Sequence, residues 1–293
     1  MTDNATSSAP PLPASTHVGA VYLRVRDLAQ AADFYGGVLG LTRMPAAPGA
    51  ALFGAGDSAL VGLIEAPDAP GAHRAPGLYH LAILLPDRAQ LGAFLQHTAN
   101  VRARLQGASD HGVSEAIYLA DPEGNGIEVY RDRDRSEWPM TASGVEMVTA
   151  PLDAQGVLAA GAQLPGPFVA PAGTSMGHVH LRVSSLERGR ARYTGVVGLS
   201  VTQASYPGAL FTSAGGYHHH IGMNTWSTQD RPAPEHGSLG LAWFELAVTD
   251  DAARTALKAR LAADGAVSDD EAAPFPARVY YDQDGIGLAV TAG

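Results

Sequence analysis

Eleven histidines, 29 carboxylate side chains and no cysteine set the chemistry open to this 293-residue chain. Without thiols there are no disulfides, thiolate–zinc sites, cysteine-ligated iron–sulfur clusters or cysteine nucleophiles, so any metal must be held by imidazole and carboxylate. The histidines are unevenly spread. His178 and His180 stand two apart in Gly177-His178-Val179-His180, His218-His219-His220 form a run, and His80 opens the apolar stretch HLAILLPD. Along a strand, alternation puts either the middle histidine of the run or its outer two on one face. Glu128 lies inside Gly126-Ile127-Glu128-Val129-Tyr130, a strand pattern in which an unpaired carboxylate would be costly to bury. Neutral imidazoles with a carboxylate are donors for a first-row divalent ion.

The elements that must position these groups come as repeats. Val21-Tyr22-Leu23-Arg24-Val25 returns as Val179-His180-Leu181-Arg182-Val183, an offset of 179 − 21 = 158. The same offset matches Leu28 with Leu186, Tyr35 with Tyr193, Gly40-Leu41 with Gly198-Leu199, and Ala51-Leu52-Phe53 with Ala209-Leu210-Phe211. Each unit opens with a half-buried strand pattern. Asp27 or Ser185 then caps a short helix that ends at Gly37 or Gly195, and several short strands follow. Two weaker copies fill the gaps. One has a strand at 80–87, a helix at 88–100, and strands at 116–119 and 126–130 around Asp121-Pro122-Glu123-Gly124-Asn125. The other has a strand at 243–248, a helix at 250–264, and strands at 278–281 and 287–290 around Asp282-Gln283-Asp284-Gly285. The reading is an α+β chain of four βαβββ modules near 17–66, 77–131, 176–226 and 239–291. A flexible tail spans 1–16, modules 1 and 2 form an N-terminal half (17–140), a Pro/Gly-rich linker covers 141–175, and modules 3 and 4 form a C-terminal half (176–293).

Four such modules resemble the vicinal oxygen chelate superfamily, and within it the ring-cleaving extradiol (catechol 2,3-) dioxygenases. The resemblance rests on Gly77-Leu78-Tyr79-His80, on the run from Tyr118 to Glu128, on Gly177-His178-Val179-His180-Leu181-Arg182-Val183, and on Gly215-Gly216-Tyr217-His218-His219-His220. It implies two cup-shaped half-barrels, with one metal ligand at the start of a module's first strand and another on its last strand. The opening positions are Ala20, His80, His178 and Trp243. The last-strand position is Glu128 in module 2 and Ala289 in module 4. The resemblance thus implies His80, Glu128 and His178 as ligands of Fe(II), with Mn(II) or another divalent metal tolerated by the same set. It also implies that module 2 pairs with 3 around the metal, while 1 pairs with 4 as a cup without ligands. His219 matches the family's active-site acid or base, with a frame open by one residue. Tyr118, ten residues before Glu128, matches the active-site tyrosine. His111 matches the substrate-binding histidine, seven residues before the tyrosine where the family has nine. His17 is read as a surface residue.

The expected activity is oxidative cleavage of a catechol-like aromatic diol, with the small substrate and dioxygen as partners. A glyoxalase-type isomerase with Ni(II) or Zn(II), a hydroquinone-type ring cleaver and a non-catalytic antibiotic-type binder share the scaffold. A net charge of −10 argues against nucleic acid and anionic membranes. No run reaches the roughly 18 apolar residues of a membrane span, and the N-terminal residues do not read as a signal peptide, which points to the cytoplasm. The module strands leave a homo-oligomer open.

Overall fold

The 158-residue repeat is visible in the backbone of the computed structural model, which describes residues 9–72, 74–141, 144–164, 166–270 and 274–293. Module 1 holds β1 (His17–Val25), α1 (Leu28–Asp33), β2 (Thr42–Met44), β3 (Ala50–Ala55) and β4 (Ser58–Glu65). Module 2 holds β5 (Gly77–Leu84), α2 (Arg88–Asn100), β6 (Leu105–Asp110), β7 (Ser114–Ala120) and β8 (Gly126–Asp132). Between the halves lie β9 (Met140–Thr141), β10 (Gly144–Val145), β11 (Ala150–Pro151) and α3 (Ala154–Gly161). Module 3 holds β12 (Ser175–Arg182), α4 (Leu186–Arg190), β13 (Ser200–Gln203), β14 (Ala209–Ser213) and β15 (Ile221–Asn224). Module 4 holds β16 (Gly240–Ala247), α5 (Asp251–Asp264), β17 (Ala266–Asp270), β18 (Ala277–Tyr281) and β19 (Gly287–Thr291).

Each module helix starts where a short polar side chain closes the first turn. Asp27, Asp87, Ser185 and Asp250 accept from the backbone N–H three residues on, satisfying a donor that the helix itself leaves free. The helical turns of modules 1 and 3 do not stop at Gly37 and Gly195, as the sequence suggests. They widen and run on to Val38 and Val197, burying Tyr35 and Tyr193. The left-handed glycines come later, at Gly40 (φ 67°) and Gly198 (φ 94°), a conformation that a β-carbon disfavours.

The sheets cross the halves of the chain. One has the order β17-β18-β19-β16-β1-β4-β3-β2 and the other β11-β6-β7-β8-β5-β12-β15-β14-β13. Each is a curled half-barrel whose middle seam is antiparallel, β1 with β16 and β5 with β12. Modules 1 and 4 therefore share one sheet, and modules 2 and 3 the other. Alternation sorts the first strands. Val21, Leu23, Leu81, Ile83, Val179, Leu181, Phe244 and Leu246 join the common apolar core, while Tyr22, His80, His178, His180 and Trp243 face the cups.

Matching turns latch one sheet to the other. Asp121 and Asp282 each accept backbone N–H groups of their own turns, and Gly124 (φ 89°) and Gly285 (φ 74°) allow the reversal. Tyr35 Oη donates to Asp121, and the backbone N–H of Arg26 to Glu123. At the equivalent place in the other half, Ser184 donates its backbone N–H to Asp284. No helix among the described residues is long and apolar enough to cross a membrane.

Two segments read as tail and linker are packed. Residues 1–8 lie outside the described ones, but Leu12 is buried and donates its N–H to the carbonyl of Gly198. Within 141–175, β11 extends the edge of β6 and α3 packs on α2. The helices touch at Gly92 and Gly161, where a β-carbon on Gly92 would stand 2.1 Å from the carbonyl oxygen of Val157. Gly92→Ala is therefore expected to destabilise the protein by about 1–3 kcal/mol, as overpacking does. A thermal melt should move down by several degrees, and an unchanged midpoint would show that the helices separate freely.

Candidate metal centre

Cross-strand register brings the polar residues together. On the cup face of the second sheet, one row runs Gly107 (β6), Tyr118 (β7), Glu128 (β8), Ala82 (β5), His178 (β12). The next row runs Gly126 (β8), His80 (β5), His180 (β12), Gly222 (β15), Phe211 (β14). Ala82 is small, and it is flanked by Glu128 on one side and His178 on the other, so both long side chains lean over it. Gly126 and Gly222 leave the same room beside the two histidines. The ten-residue spacing from Tyr118 to Glu128 is the register of the β7–β8 hairpin.

His80, Glu128 and His178 form the one group of metal-capable side chains among the described residues, with ligand atoms all within 4.8 Å of one another. Glu128 Oε2 stands 3.1 Å from His80 Nε2 and 3.3 Å from His178 Nε2. All three residues are buried. His80 Nε2 is enclosed yet makes no hydrogen bond, which a buried polar atom normally avoids. Burial holds the His178 imidazole down to about 4, overcoming the opposing pull of Glu128, so its ring is neutral at neutral pH. Two imidazoles and one carboxylate, with an unsatisfied nitrogen on His80, fit a divalent cation.

Above the cluster opens a cavity of about 550 Å³ lined by His80, Glu128, His111, Tyr118, His180 and His219, with Tyr79, Tyr206, Phe211 and Trp226 as aromatic wall. The histidine run precedes β15 rather than lying on the strand, as the sequence reading has it, and its three rings diverge. His219 faces the cavity with its ring centroid 4.0 Å from that of His178. His218 turns to Asp132, and His220 accepts the backbone N–H of Ala214. His111 and Tyr118 are paired at 2.6 Å (Nε2 to Oη). His111 Nδ1 lies 2.5 Å from the carbonyl of Val148 and must donate to it, so Nε2 accepts from the phenol. Burial, then the charge of Glu128, push the Tyr118 phenol well above its ordinary value. His17 is exposed beside the carbonyl of Ser15.

His180 is the site residue that sequence reasoning passed over. Its ring centroid is 5.0 Å from that of His80, it lines the cavity, and its buried Nε2 has no hydrogen-bond partner. The signal was the His-Val-His spacing, which puts both histidines of β12 on one face.

The sequence profile of the Glyoxalase/Bleomycin resistance protein/Dioxygenase superfamily matches residues 16–129. The catechol-2,3-dioxygenase of Bacillus subtilis (strain 168) is 41% identical over 236 residues, 78% of this chain and 81% of that one. The chain belongs to this superfamily. Solved members share its fold. A provisionally assigned dioxygenase of Bacillus subtilis subsp. subtilis str. 168 has a TM-score of 0.63 at 14% identity, covering 97% of this chain and 87% of that one. Glyoxalase I of Zea mays has 0.56 at 15%, covering 94% and 92%. The cup that holds this cluster has a partner cup in the other sheet. Here that partner is filled: Tyr22 and Trp243 stack at 4.5 Å, Phe275 closes on Tyr22, and Glu245 binds the Tyr22 hydroxyl and the Ala20 N–H.

The buried imidazoles make the metal-free protein acid-sensitive. His178, His180, His219 and His220 are all held below the ordinary 6.5 by burial, His178 at about 4 and His220 at about 3. Below 6.5 the unfolded chain binds more protons than the folded one, so stability falls as pH drops from there toward 4. Each histidine contributes up to about 1.4 kcal/mol per pH unit. Urea midpoints should decline through this window, and a level profile would show that the rings reach solvent.

Proposed function

We propose that this chain is an extradiol ring-cleaving dioxygenase that uses Fe(II) and acts on a catechol-like aromatic diol. The observation that carries the reading is the His80–Glu128–His178 cluster, whose His80 and Glu128 line a cavity that also holds His219, Tyr118 and His111. The 41%-identical relative named catechol-2,3-dioxygenase supports it. Fe(II), held by His80, Glu128 and His178, would supply open positions at which a vicinal diol and dioxygen meet. Glu128 is the one carboxylate of the set, so it offsets half of a 2+ charge and leaves a site that favours an anionic diol.

The surrounding residues divide the remaining work. Tyr118 gives its hydrogen to His111 Nε2, which leaves the phenol oxygen free to accept from a diol hydroxyl and orient the ring. His219 uses Nδ1 for a bond to His218, so Nε2 is the atom that takes a proton from the diol and returns it to the ring-opened product, which keeps both oxygen atoms of dioxygen. The aromatic wall suits a planar ring and sheds water from the reacting atoms. An isomerase of the glyoxalase type draws on a second carboxylate, and Gly222 stands where module 3 would provide it.

The purified chain, reconstituted anaerobically with Fe(II), should take up one dioxygen per catechol with growth of a yellow ring-fission product. Glu128→Ala should abolish uptake, and His219→Ala should lower kcat by about 10²–10⁴ while metal is still bound. Stoichiometric iron with no uptake on any substituted catechol would sink the assignment.

A further inference from the structure

We infer that Asp132, outside the cavity, is a positioning residue that sets the proton direction of two hydrogen-bonded chains, one ending on His178 and the other on His219. The inference rests on the proposed roles of those two histidines. Asp132 Oδ2 accepts from Tyr217 Oη at 2.9 Å, Tyr217 lies 2.8 Å from Tyr130 Oη, and Tyr130 lies 3.2 Å from His178 Nδ1. On the other side Asp132 Oδ1 is 2.9 Å from His218 Nε2, and His218 Nδ1 is 2.8 Å from His219 Nδ1.

A carboxylate has only acceptors to offer, and each phenol has one hydrogen to give. Tyr217 spends its hydrogen on Asp132, so it accepts from Tyr130. Tyr130 has then spent its own and accepts from His178 Nδ1–H. The lone pair of His178 is left on Nε2, aimed at Glu128. Two acceptors then face each other at 3.3 Å, a repulsion that a divalent cation between them relieves. In the second chain His218 gives its Nε2 hydrogen to Asp132, and a ring carrying that one hydrogen has its lone pair on Nδ1. His219 must donate from Nδ1, which leaves a bare Nε2 toward the cavity. The backbone is fitted to the first chain: a β-carbon on Gly177 would stand 1.7 Å from Tyr130 Oη, and β12 is irregular at that residue. One anion thereby presets a metal-ligand lone pair and a proton acceptor, the kind of outer partner that orients and tunes ligands.

The test has two readouts, neither of which uses ring cleavage. Nitrogen-15 NMR of the histidines should place the proton of His219 on Nδ1 in the wild-type protein. Zn(II) titration against a chelator should show Tyr217→Phe binding about 10- to 100-fold more weakly with the His219 signals unmoved. His218→Phe should do the reverse, shifting the His219 signals and sparing Zn(II) affinity. Asp132→Asn, which can accept from one chain only by donating into the other, should disturb at least one readout. A wild-type His219 protonated on Nε2, or Asp132→Asn with wild-type Zn(II) affinity and unmoved His219 signals, would overturn the inference, and the wild-type spectrum decides even if a variant fails to fold. A protein that passes both readouts and cleaves no catechol would refute the dioxygenase reading and leave this one standing.

Discussion

The structure turns on a carboxylate buried without a permanent counter-charge. Glu128 and Glu115 are both almost fully enclosed, and they are treated in opposite ways. Glu115 is met by the guanidinium groups of Arg88, Arg131 and Arg133, the fixed cations that make a buried acid tolerable. Glu128 has His80 and His178 as its ion-pair partners among the described residues. An imidazole, unlike a guanidinium group, has a ring nitrogen lone pair to offer a metal and no fixed charge. A fold that wanted Glu128 only for stability would have given it an arginine, as it did at Glu115. The arrangement becomes economical once a divalent cation occupies the space where the three sets of lone pairs meet.

Small residues decide where such a cluster can form. A sheet holds neighbouring cup-face side chains at roughly 5 Å, too close for a row of long ones. Ala82 between Glu128 and His178, and glycines at 126 and 222 beside the two histidines, give each long side chain a gap to lean into. Tyr118 gains the same freedom from Gly107. The cup is thus patterned by size as well as by polarity, and these small residues are what let His80, Glu128 and His178 come within 4.8 Å of one another.

Much of this was legible before any coordinates. The repeat exposed modules 1 and 3 because the same backbone constraints recur at the same places, the capping side chain, the buried tyrosine and the left-handed glycine, and the other two modules showed through their strand and helix order alone. His80, His178 and Glu128 stood out because each is a polar residue in an apolar strand. The histidine run was ambiguous for a physical reason: its residues are not in the strand, so alternation had nothing to say about them. Their directions come from partners far away in sequence, Asp132 for His218 and the Ala214 backbone for His220. Likewise α3 was hidden in a Pro/Gly-rich stretch because its place depends on two glycines meeting across a helix pair, not on amphipathic periodicity.

The first cup explains why the repeat cannot carry two such sites by small changes. The positions equivalent to His80 and His178 are Trp243 and Ala20, and Ala289 stands where Glu128 would be. In the ligand cup the acid stands on the last strand and the small residue on the first. In the other cup Glu245 pairs across from Ala289, so the acid has moved to the first strand and the small residue to the last. Glu245 is turned toward Tyr22 and the Ala20 N–H, and the space a ligand would need is occupied by the stacked Tyr22–Trp243 pair. Restoring a histidine at 243 would strip Tyr22 of its stacking partner. Restoring a carboxylate at 289 would set it beside Glu245. Each equivalent position in this cup is locked by its neighbours, so the absence of a histidine–carboxylate cluster and the presence of an aromatic core are one packing solution, and among the described residues only the other cup gathers such a cluster.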